Sequence, residues 1–289
     1  MSHTAKTPPV AKGSNGLPVN AVDGTQAYDT DKAQYVVSVS NAWQGVGGGG
    51  GFGTPTVVYD DGAAVGNTDQ IQGDIPANWK NSDGSLKGLV IGTSCTSIGN
   101  SAFYFCTNLT GSLTIPDSIT TIGSNAFNYC TGLTGSLVIP DSVTTIGSDA
   151  FFACGFSGSL TIGNSVTSIG SNAFNYCYSL TGSLTIPNSV TTIGSNAFNY
   201  CAGFDGSLTI PNSVTSIGSQ AFYYCNSLTA AYVNCPASSW IGTNALQGTT
   251  LLTNIYVHAD YVAGYDAPWK TAQGTTATVS TWTNYPTIP

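Results

Sequence analysis

Apolar residues recur in fixed columns along the middle of the chain, and polar residues fill the positions between them. Each unit carries a Leu-x-Ile pair, then a Val-x-x-Ile-Gly run, then an Ala-Phe pair followed by Cys. The phenylalanine recurs at steps of 24, 24, 23, 24 and 24 residues. The pattern predicts an array of six repeats of about 24 residues. The six positions are Phe103, Phe127, Phe151, Phe174, Phe198 and Phe222.

The spacing within a unit predicts its local structure. Alternation in Leu-x-Ile is typical of a short strand whose Leu and Ile side chains point inward and whose Ser and Thr neighbours point outward. A proline after the strand ends it, because proline cannot donate to a ladder of hydrogen bonds. The Ala-Phe pair is expected on a short turn or a one-turn helix. One repeat cannot bury this much apolar surface alone, so stacked repeats must share a continuous core.

The order of the columns, C-x-x-L-x-x-x-L-x-I-P-x-x-V-x-x-I-G-x-x-A-F-x-x-C, resembles the BspA-like leucine-rich repeats. The resemblance covers about residues 89–257, and the tail from Ile255 to Tyr265 is similar to the closing element of that family. It implies a mainly β leucine-rich-repeat solenoid that binds proteins or glycans and has no family-wide catalytic residues. The family is known for cell-surface adhesins, and similar repeats occur in viral and phage proteins.

The rest of the chain divides by composition. A Pro-, Gly- and Ser-rich start predicts an extended arm, and apolar stretches at 35–39 and 56–59 predict a small β-rich region that caps the first repeat or docks to a partner. A degenerate seventh turn ends the array, with Leu246 in the Phe position. The predicted segments are an arm at 1–22, a β-rich N-terminal region at 23–88, the solenoid at 89–254 and a C-terminal cap at 255–289.

The charge of the chain limits its partners. Charged residues make up 7% of the sequence, the net charge is −8, and no Arg or Glu is present. Arg is the preferred side chain for phosphates, so this composition argues against nucleic acid, nucleotides and anionic membranes as ligands. No apolar run reaches the ~18 residues of a membrane span, and the first residues lack the apolar stretch of a secretory signal. We therefore expect neither membrane insertion nor a signal peptide.

Eight cysteines raise the alternatives of disulfides, a metal site or buried thiols. Stacked side chains in one column point the same way rather than at each other, which disfavours disulfides. No CxxC or Cys/His spacing is present, which disfavours zinc. We expect buried thiols and no metal. The column is Cys106, Cys130, Cys154, Cys177, Cys201 and Cys225, with Cys95 and Cys235 outside it.

Three features of the sequence are candidates for a catalytic or phosphate-binding site. Asp117 and Asp141 share a repeat position, so their separation resembles the carboxylate pair of a retaining glycosidase, but their column continues as Asn and fits turn chemistry better. His258 lies in the cap with no nucleophile motif near it. The glycine-rich run 45–53 lacks the Lys-Ser/Thr of a phosphate loop. We predict no enzyme activity and no cofactor.

The outward Ser and Thr columns form a neutral surface suited to hydrogen bonding with a glycan or a protein, although they could simply solvate a strand face. Pairs such as Thr120 and Thr121 predict a second hydroxyl ladder. An aromatic column could supply sugar-stacking or subunit contacts, but packing between repeats is its expected role. It runs through Phe105, Tyr129, Tyr176, Tyr200 and Tyr224, with Tyr104, Phe152 and Tyr223 beside it. The predicted binding surface is Ser112, Thr114, Ser136, Thr161, Ser183, Thr185, Ser207 and Thr209.

These features favour a non-enzymatic structural or interaction protein. The leading hypothesis is a phage or viral surface, decoration, fibre or host-attachment protein, located at the virion surface. Its partners would be other virion or assembly proteins bound through the N-terminal region, with a host glycan or protein at the repeats, and the chain would belong to an oligomer or larger assembly. The alternative is a cell-surface adhesin. An ice-binding solenoid that uses the Thr ladders is a third hypothesis.

Overall fold

The computed structural model describes five strands between residues 26 and 72 and then residues 86–282, apart from 87 and 94. The predicted arm at 1–22 and the glycine-rich run at 45–53 lie outside the described residues, so those expectations stay predictions.

The N-terminal strands form a mainly antiparallel sheet that joins the first repeat. Within the described part, this sheet has the order β1-β2-β4-β5-β6, with β3 beside β2. Strand β5 pairs in parallel with β6, the first repeat's Leu-x-Ile strand, so the sheet continues directly into the solenoid. The strands are β1 Gln26–Asp29, β2 Gln34–Val39, β3 Ala42–Trp43, β4 Thr56–Val58, β5 Asp69–Gln72 and β6 Leu89–Ile91.

The repeats build a parallel-strand solenoid of about eight turns at roughly 24-residue spacing, which confirms the predicted fold class. One row of strands comes from the Leu-x-Ile segments: β9 Leu137–Val138, β11 Leu160–Thr161, β13 Leu184–Thr185, β15 Ser207–Ile210 and β17 Ala230–Val233. A second row comes from the segments before the glycine: β7 Ser97–Ile98, β8 Thr121–Ile122, β10 Thr145–Ile146, β12 Ser168–Ile169, β14 Thr192–Ile193 and β16 Ser216–Ile217. Equivalent residues pair in register, for example Ile146 with Ile169.

The core is continuous along the array, as the columns predict. The six phenylalanines of the Ala-Phe pairs are fully buried and stacked on each other, with ring centroids 5.0 Å apart for Phe103 and Phe127 and 5.6 Å apart for Phe198 and Phe222. Stacked aromatic rings contribute beyond the area that they bury. Each repeat therefore covers the ring face of the repeat before it.

The Ala-Phe segment is a pair of tandem turns and not a helix. Bonds from residue i+3 to residue i hold it, such as Asn128 N–H to the Asn125 carbonyl at 3.2 Å. Two positions in each turn are left-handed, as at Asn125 (φ 57°) and Tyr129 (φ 60°), and this interrupts any helical run.

Alternate N–H groups of these turns point along the solenoid to the next repeat. In one repeat, Asn125 donates to the Ser148 carbonyl, Phe127 to Ala150 and Tyr129 to Phe152, each at 2.8 Å. The same three bonds recur from the turn at Ser101 to the turn at Gln220. The turns thus form a third hydrogen-bonded ladder with a single direction.

The C-terminal cap receives the end of this ladder. Strands β18 (Asn254–His258) and β19 (Thr278–Trp282) extend the parallel sheet beyond β17, and helix α1 (Ala267–Gln273) lies between them. In the seventh turn, Leu246 is buried in the Phe position, as predicted, and donates its N–H to the carbonyl of Gln273 at 3.0 Å. The last carbonyls of a helix have no partner within the helix. Here they accept the outstanding turn donors, since Asn244 donates to Ala272 at 2.7 Å.

All eight cysteines are buried free thiols, as predicted. The five thiols from Cys130 to Cys225 each donate to the phenylalanine carbonyl of the preceding repeat, as from Cys177 Sγ to the Phe151 oxygen at 3.0 Å. Burial raises the pKa of Cys177 and of Cys225 from the ordinary value of 9.0 to about 12. The column therefore adds hydrogen bonds from thiol to carbonyl between repeats rather than reactive groups.

Alkaline pH should destabilise the solenoid through these thiols. In the unfolded chain they ionise near pH 9, whereas in the fold they stay protonated to about pH 12. The stability that they contribute is complete below pH 9 and is lost as the pH rises above it, by about 1.4 kcal/mol per unit and per thiol. Urea unfolding from pH 8 to 11 should show a falling midpoint. The Cys177→Ala/Cys225→Ala protein should show a flatter decline, and an equal decline would contradict this assignment.

Two glycines offer a matched test of how closely the repeats stack. A Cβ at Gly194 would lie 2.5 Å from the backbone nitrogen of Ser171, whereas Gly182 (φ +81°) has nothing within 4 Å. Gly182→Ala should cost about 1–2 kcal/mol for its left-handed backbone. Gly194→Ala should cost more, about 2–4 kcal/mol, because two backbones must separate. Urea unfolding of both variants measures the difference, and similar losses would argue against this stacking.

Candidate interaction surfaces

The solenoid presents three long faces. The first face is the outer side of the Leu-x-Ile row of strands, and the second face is the outer side of the row from β7 to β16. The turn face carries the tandem turns. Each face repeats one residue type per turn, so any binding surface here is a stripe rather than a pocket.

The predicted binding residues lie on the first face, and most of them are accessible. Ser112, Thr114, Ser136, Thr161 and Ser183 are exposed, and Thr185 and Ser207 are half-buried. Thr209 does not fit the prediction, because only 6% of it is exposed.

The reason for the burial of Thr209 is the change of residue type that follows in its column. The next two outward positions after Thr209, in register, are Tyr232 and Tyr256, whose rings stack at 5.1 Å. Large side chains at the C-terminal end therefore crowd the threonine. The alternation in Ala-Ala-Tyr-Val and Asn-Ile-Tyr-Val places these tyrosines outward, and the sequence prediction overlooked them.

The two threonine ladders differ in whether their hydroxyl groups donate hydrogen bonds within the fold. On the second face, Thr120, Thr144 and their equivalents each donate to the threonine carbonyl of the preceding repeat, at 3.1–3.2 Å. On the first face, the hydroxyls of Thr114, Thr161 and Thr185 make no hydrogen bond to any described residue. The threonines of the first face therefore keep both donors and acceptors for a ligand, whereas the Thr120 column of the second face offers acceptors alone.

The serine column beside these threonines is partly used within the fold. Ser136 Oγ accepts the N–H of Ser159 at 3.1 Å, and Ser183 Oγ accepts that of Ser207 at 3.1 Å. These serines hold neighbouring repeats in register. The accessible, unpaired hydroxyls of the first face are thus mainly those of threonine.

The turn face carries nine aromatic side chains that form one continuous surface, here called the aromatic stripe. Rings of successive repeats stack at 4.5 Å for Phe105 and Tyr129 and at 5.1 Å for Tyr176 and Tyr200. The predicted packing between repeats is confirmed, yet the stripe is also accessible, with Tyr129 37% exposed. Its members are Tyr104, Phe105, Tyr129, Phe152, Tyr176, Tyr178, Tyr200, Tyr223 and Tyr224.

The stripe stays continuous across the repeat with the 23-residue step, although alanine replaces the aromatic residue there. Ala153 occupies the ring position there, and the neighbouring Phe152 fills the gap, 5.3 Å from Tyr129 and 5.4 Å from Tyr176. Tyr178, which the sequence prediction missed, adds a further ring at 5.4 Å from Tyr176. Its surroundings raise its pKa, through desolvation first and then through the neighbouring phenols.

The stripe residues occupy a backbone conformation that bulky side chains avoid. Phe105 (φ 61°), Tyr176 (φ 63°) and Tyr224 (φ 55°) are left-handed. The other left-handed position in the same turns holds residues suited to it, such as Asn172 and Asn196. A left-handed non-glycine residue costs about 1–2 kcal/mol, and an aromatic pair returns about 0.5–1.5 kcal/mol. Stacking thus roughly offsets the backbone cost, and the partial burial of the rings adds stability beyond it.

The other candidate groups have local structural roles. Asp141 accepts the N–H of Asn164 in the next repeat at 2.6 Å, which fits turn chemistry. His258 Nδ1 lies 3.2 Å from Asp260 in the cap. The described residues contain no cluster of three metal-ligating side chains. Within the same part of the chain, no helix has the length and apolar character needed to span a bilayer.

A family model described as "BspA type Leucine rich repeat region" matches the chain in six copies, over residues 75–205 and 205–263. The chain belongs to the BspA-type leucine-rich-repeat family. Proteins with these repeats are surface and interaction proteins, and leucine-rich repeats are typically non-enzymatic. The family confirms the resemblance stated from the columns.

Crystal structures of bacterial leucine-rich repeat proteins show a more distant similarity. One from Bacteroides ovatus is 18% identical, with 82% of this chain and 70% of that chain covered and a TM-score of 0.39. One from T. pallidum is 20% identical, with 73% and 90% covered and a TM-score of 0.43. A leucine-rich cell surface protein from Faecalibacterium prausnitzii is 18% identical, with 77% and 97% covered and a TM-score of 0.26. No curated protein matches the chain.

Proposed function

We propose that this chain is a non-enzymatic adhesion protein that binds a neutral glycan through the first face. The observation that carries the proposal is the set of three accessible threonine hydroxyls, at Thr114, Thr161 and Thr185, that no described residue uses. A sugar offers many hydroxyls, each of which donates and accepts, so a ladder that keeps both functions is complementary to it. The Thr120 column of the second face uses its donors within the fold.

The charge and the ends of the first face support the same ligand class. From Thr114 to Thr185, the outward column contains no charged side chain, so it offers no electrostatic selection for an anionic ligand. Tyr232 and Tyr256 continue the column and add apolar surface next to the hydroxyls. Aromatic and hydroxyl groups side by side are the kind of surface that contacts both the C–H and the O–H groups of a sugar.

The proposal includes display at a surface, of a cell or of a virus particle. Membership of the BspA-type family supports a surface role in general. The virion assignment remains a prediction from the sequence, since the arm at 1–22 that motivated it lies outside the described residues. Its partners, the virion or assembly proteins bound through the N-terminal region, remain predictions too. Mass spectrometry of purified particles and of isolated cell envelopes from the source would separate the two locations.

Glycan binding can be tested with two threonines of equal size on different faces. The full chain should bind at least one neutral glycan on an array, and Thr161→Lys on the first face should weaken that binding at least about tenfold, or ~1.4 kcal/mol. Thr144→Lys on the second face should bind as the wild type does. Isothermal titration with the selected glycan measures both variants.

Two results would count against the assignment. The first is an array on which no neutral glycan binds above background. If the chain then binds a protein from the same source, the first face would be a protein-binding surface instead. The second is equal weakening by Thr161→Lys and Thr144→Lys, which would show that the first face is not the binding surface.

A further inference from the structure

We propose that the aromatic stripe on the turn face is a self-association surface that takes a second copy of this chain. This surface is distinct from the first face and independent of glycan binding. The stripe runs through six successive repeats, and its rings contact each other without interruption from Phe105 to Tyr224.

The stacking decides which part of each ring is free. Tyr176, Tyr200 and Tyr224 stack at 5.1 and 5.0 Å with interplanar angles of 14° and 17°, so their faces lie against each other. Ring edges and phenolic hydroxyls remain at the surface. A sugar packs on the face of an aromatic ring, and the faces of these three rings are covered by their neighbours. The ring edges of a second copy have the same spacing, so they can interdigitate with the ring edges of the first copy, as side chains do across a packed interface.

The accessible area is consistent with a modest dimer. Four of the rings are 37–53% exposed, at Phe105, Tyr129, Tyr178 and Tyr224. Since a buried aromatic side chain removes about 150–250 Å² from water, the nine rings offer on the order of 500 Å² per copy. Two copies would bury about 1,000 Å², the lower limit for a specific interface. A patch of this size on a monomer commonly has a function.

Charge favours a second copy at this face over the others. A partner chain also carries a net charge of −8, so association is least costly where charges are absent. The six turns of the stripe contain no lysine, and Asp149 is their one carboxylate. A stripe of identical repeats can pair with itself about a twofold axis in antiparallel orientation, which closes the assembly at two copies.

The backbone adds an independent argument. Gly, Asn and Asp adopt left-handed backbone most easily, and Asn or Asp fills the other left-handed position in four of the six turns. Aromatic side chains are kept at the second position in five of the six repeats, at Phe105, Tyr129, Tyr176, Tyr200 and Tyr224. Bulky aromatic residues are poorly suited to left-handed backbone, so their presence at five of six equivalent positions fits a contact that a small polar residue could not make.

The test is analytical ultracentrifugation of the full chain from about 1 to 200 μM, which spans the affinity expected for so small an interface. The wild type should shift from monomer to dimer over this range. Tyr178→Lys should weaken association at least tenfold. The matched control is Val138→Lys on the first face, because Val138 is 52% exposed and Tyr178 is 53% exposed. Val138→Lys should dimerise as the wild type does.

A second variant protects the test against misfolding. Tyr129→Asn places a residue suited to left-handed backbone at a stripe position, so the backbone gain should offset part of the lost ring packing, and the protein should stay folded with a small fall in thermal midpoint while association weakens at least tenfold. A wild type that stays monomeric at every concentration would overturn the proposal. Association of Tyr178→Lys and Tyr129→Asn with wild-type affinity would also overturn it, because the dimer would then use another surface.

Discussion

Each turn of this solenoid has three N–H groups that only the next turn can satisfy. The donors at Asn196, Phe198 and Tyr200 all point the same way, and the carbonyls of Ser219, Ala221 and Tyr223 receive them. Leaving such a donor buried and unpaired costs about 1–3 kcal/mol. A repeat is therefore stable only with a neighbour in register on its C-terminal side, and the array needs an end that supplies acceptors. Helix α1 provides them with its final carbonyls.

The same constraint explains the uniform columns. A turn that must present its N–H groups at fixed positions leaves little freedom at the glycine, alanine and phenylalanine that shape it. The close approach of Gly194 to Ser171 and the thiol bond from Cys177 to Phe151 are both consequences of that spacing. Where one residue is deleted after Cys154, the ladder continues unbroken because the deletion falls between the turn and the next strand.

Much of the fold could be predicted from the sequence, because burial follows the repeat period directly. The inward Leu, Ile and Phe columns, the buried thiols and the Leu246 turn all follow from it. A short turn was one of two alternatives predicted for the Ala-Phe pair, but its left-handed positions could not be predicted, since nothing in Ala-Phe-Asn-Tyr-Cys indicates a left-handed tyrosine. The helix acceptors at Ala272 and Gln273 meet the turn only in three dimensions. The accessible first face was predicted except for Thr209, whose burial depends on bulky neighbours in register.

The turns form a hydrogen-bonded ladder as regular as the sheets, and amide hydrogen exchange tests this ladder most directly. Exchange followed by NMR or by mass spectrometry with residue-level fragmentation would resolve the amides of Asn196, Phe198 and Tyr200. They should exchange as slowly as the amide of Ile193 in β14 and slow further toward the centre of the array. Exchange at the rate of an exposed loop, such as the loop at 178–179, would show that the ladder does not hold the repeats together.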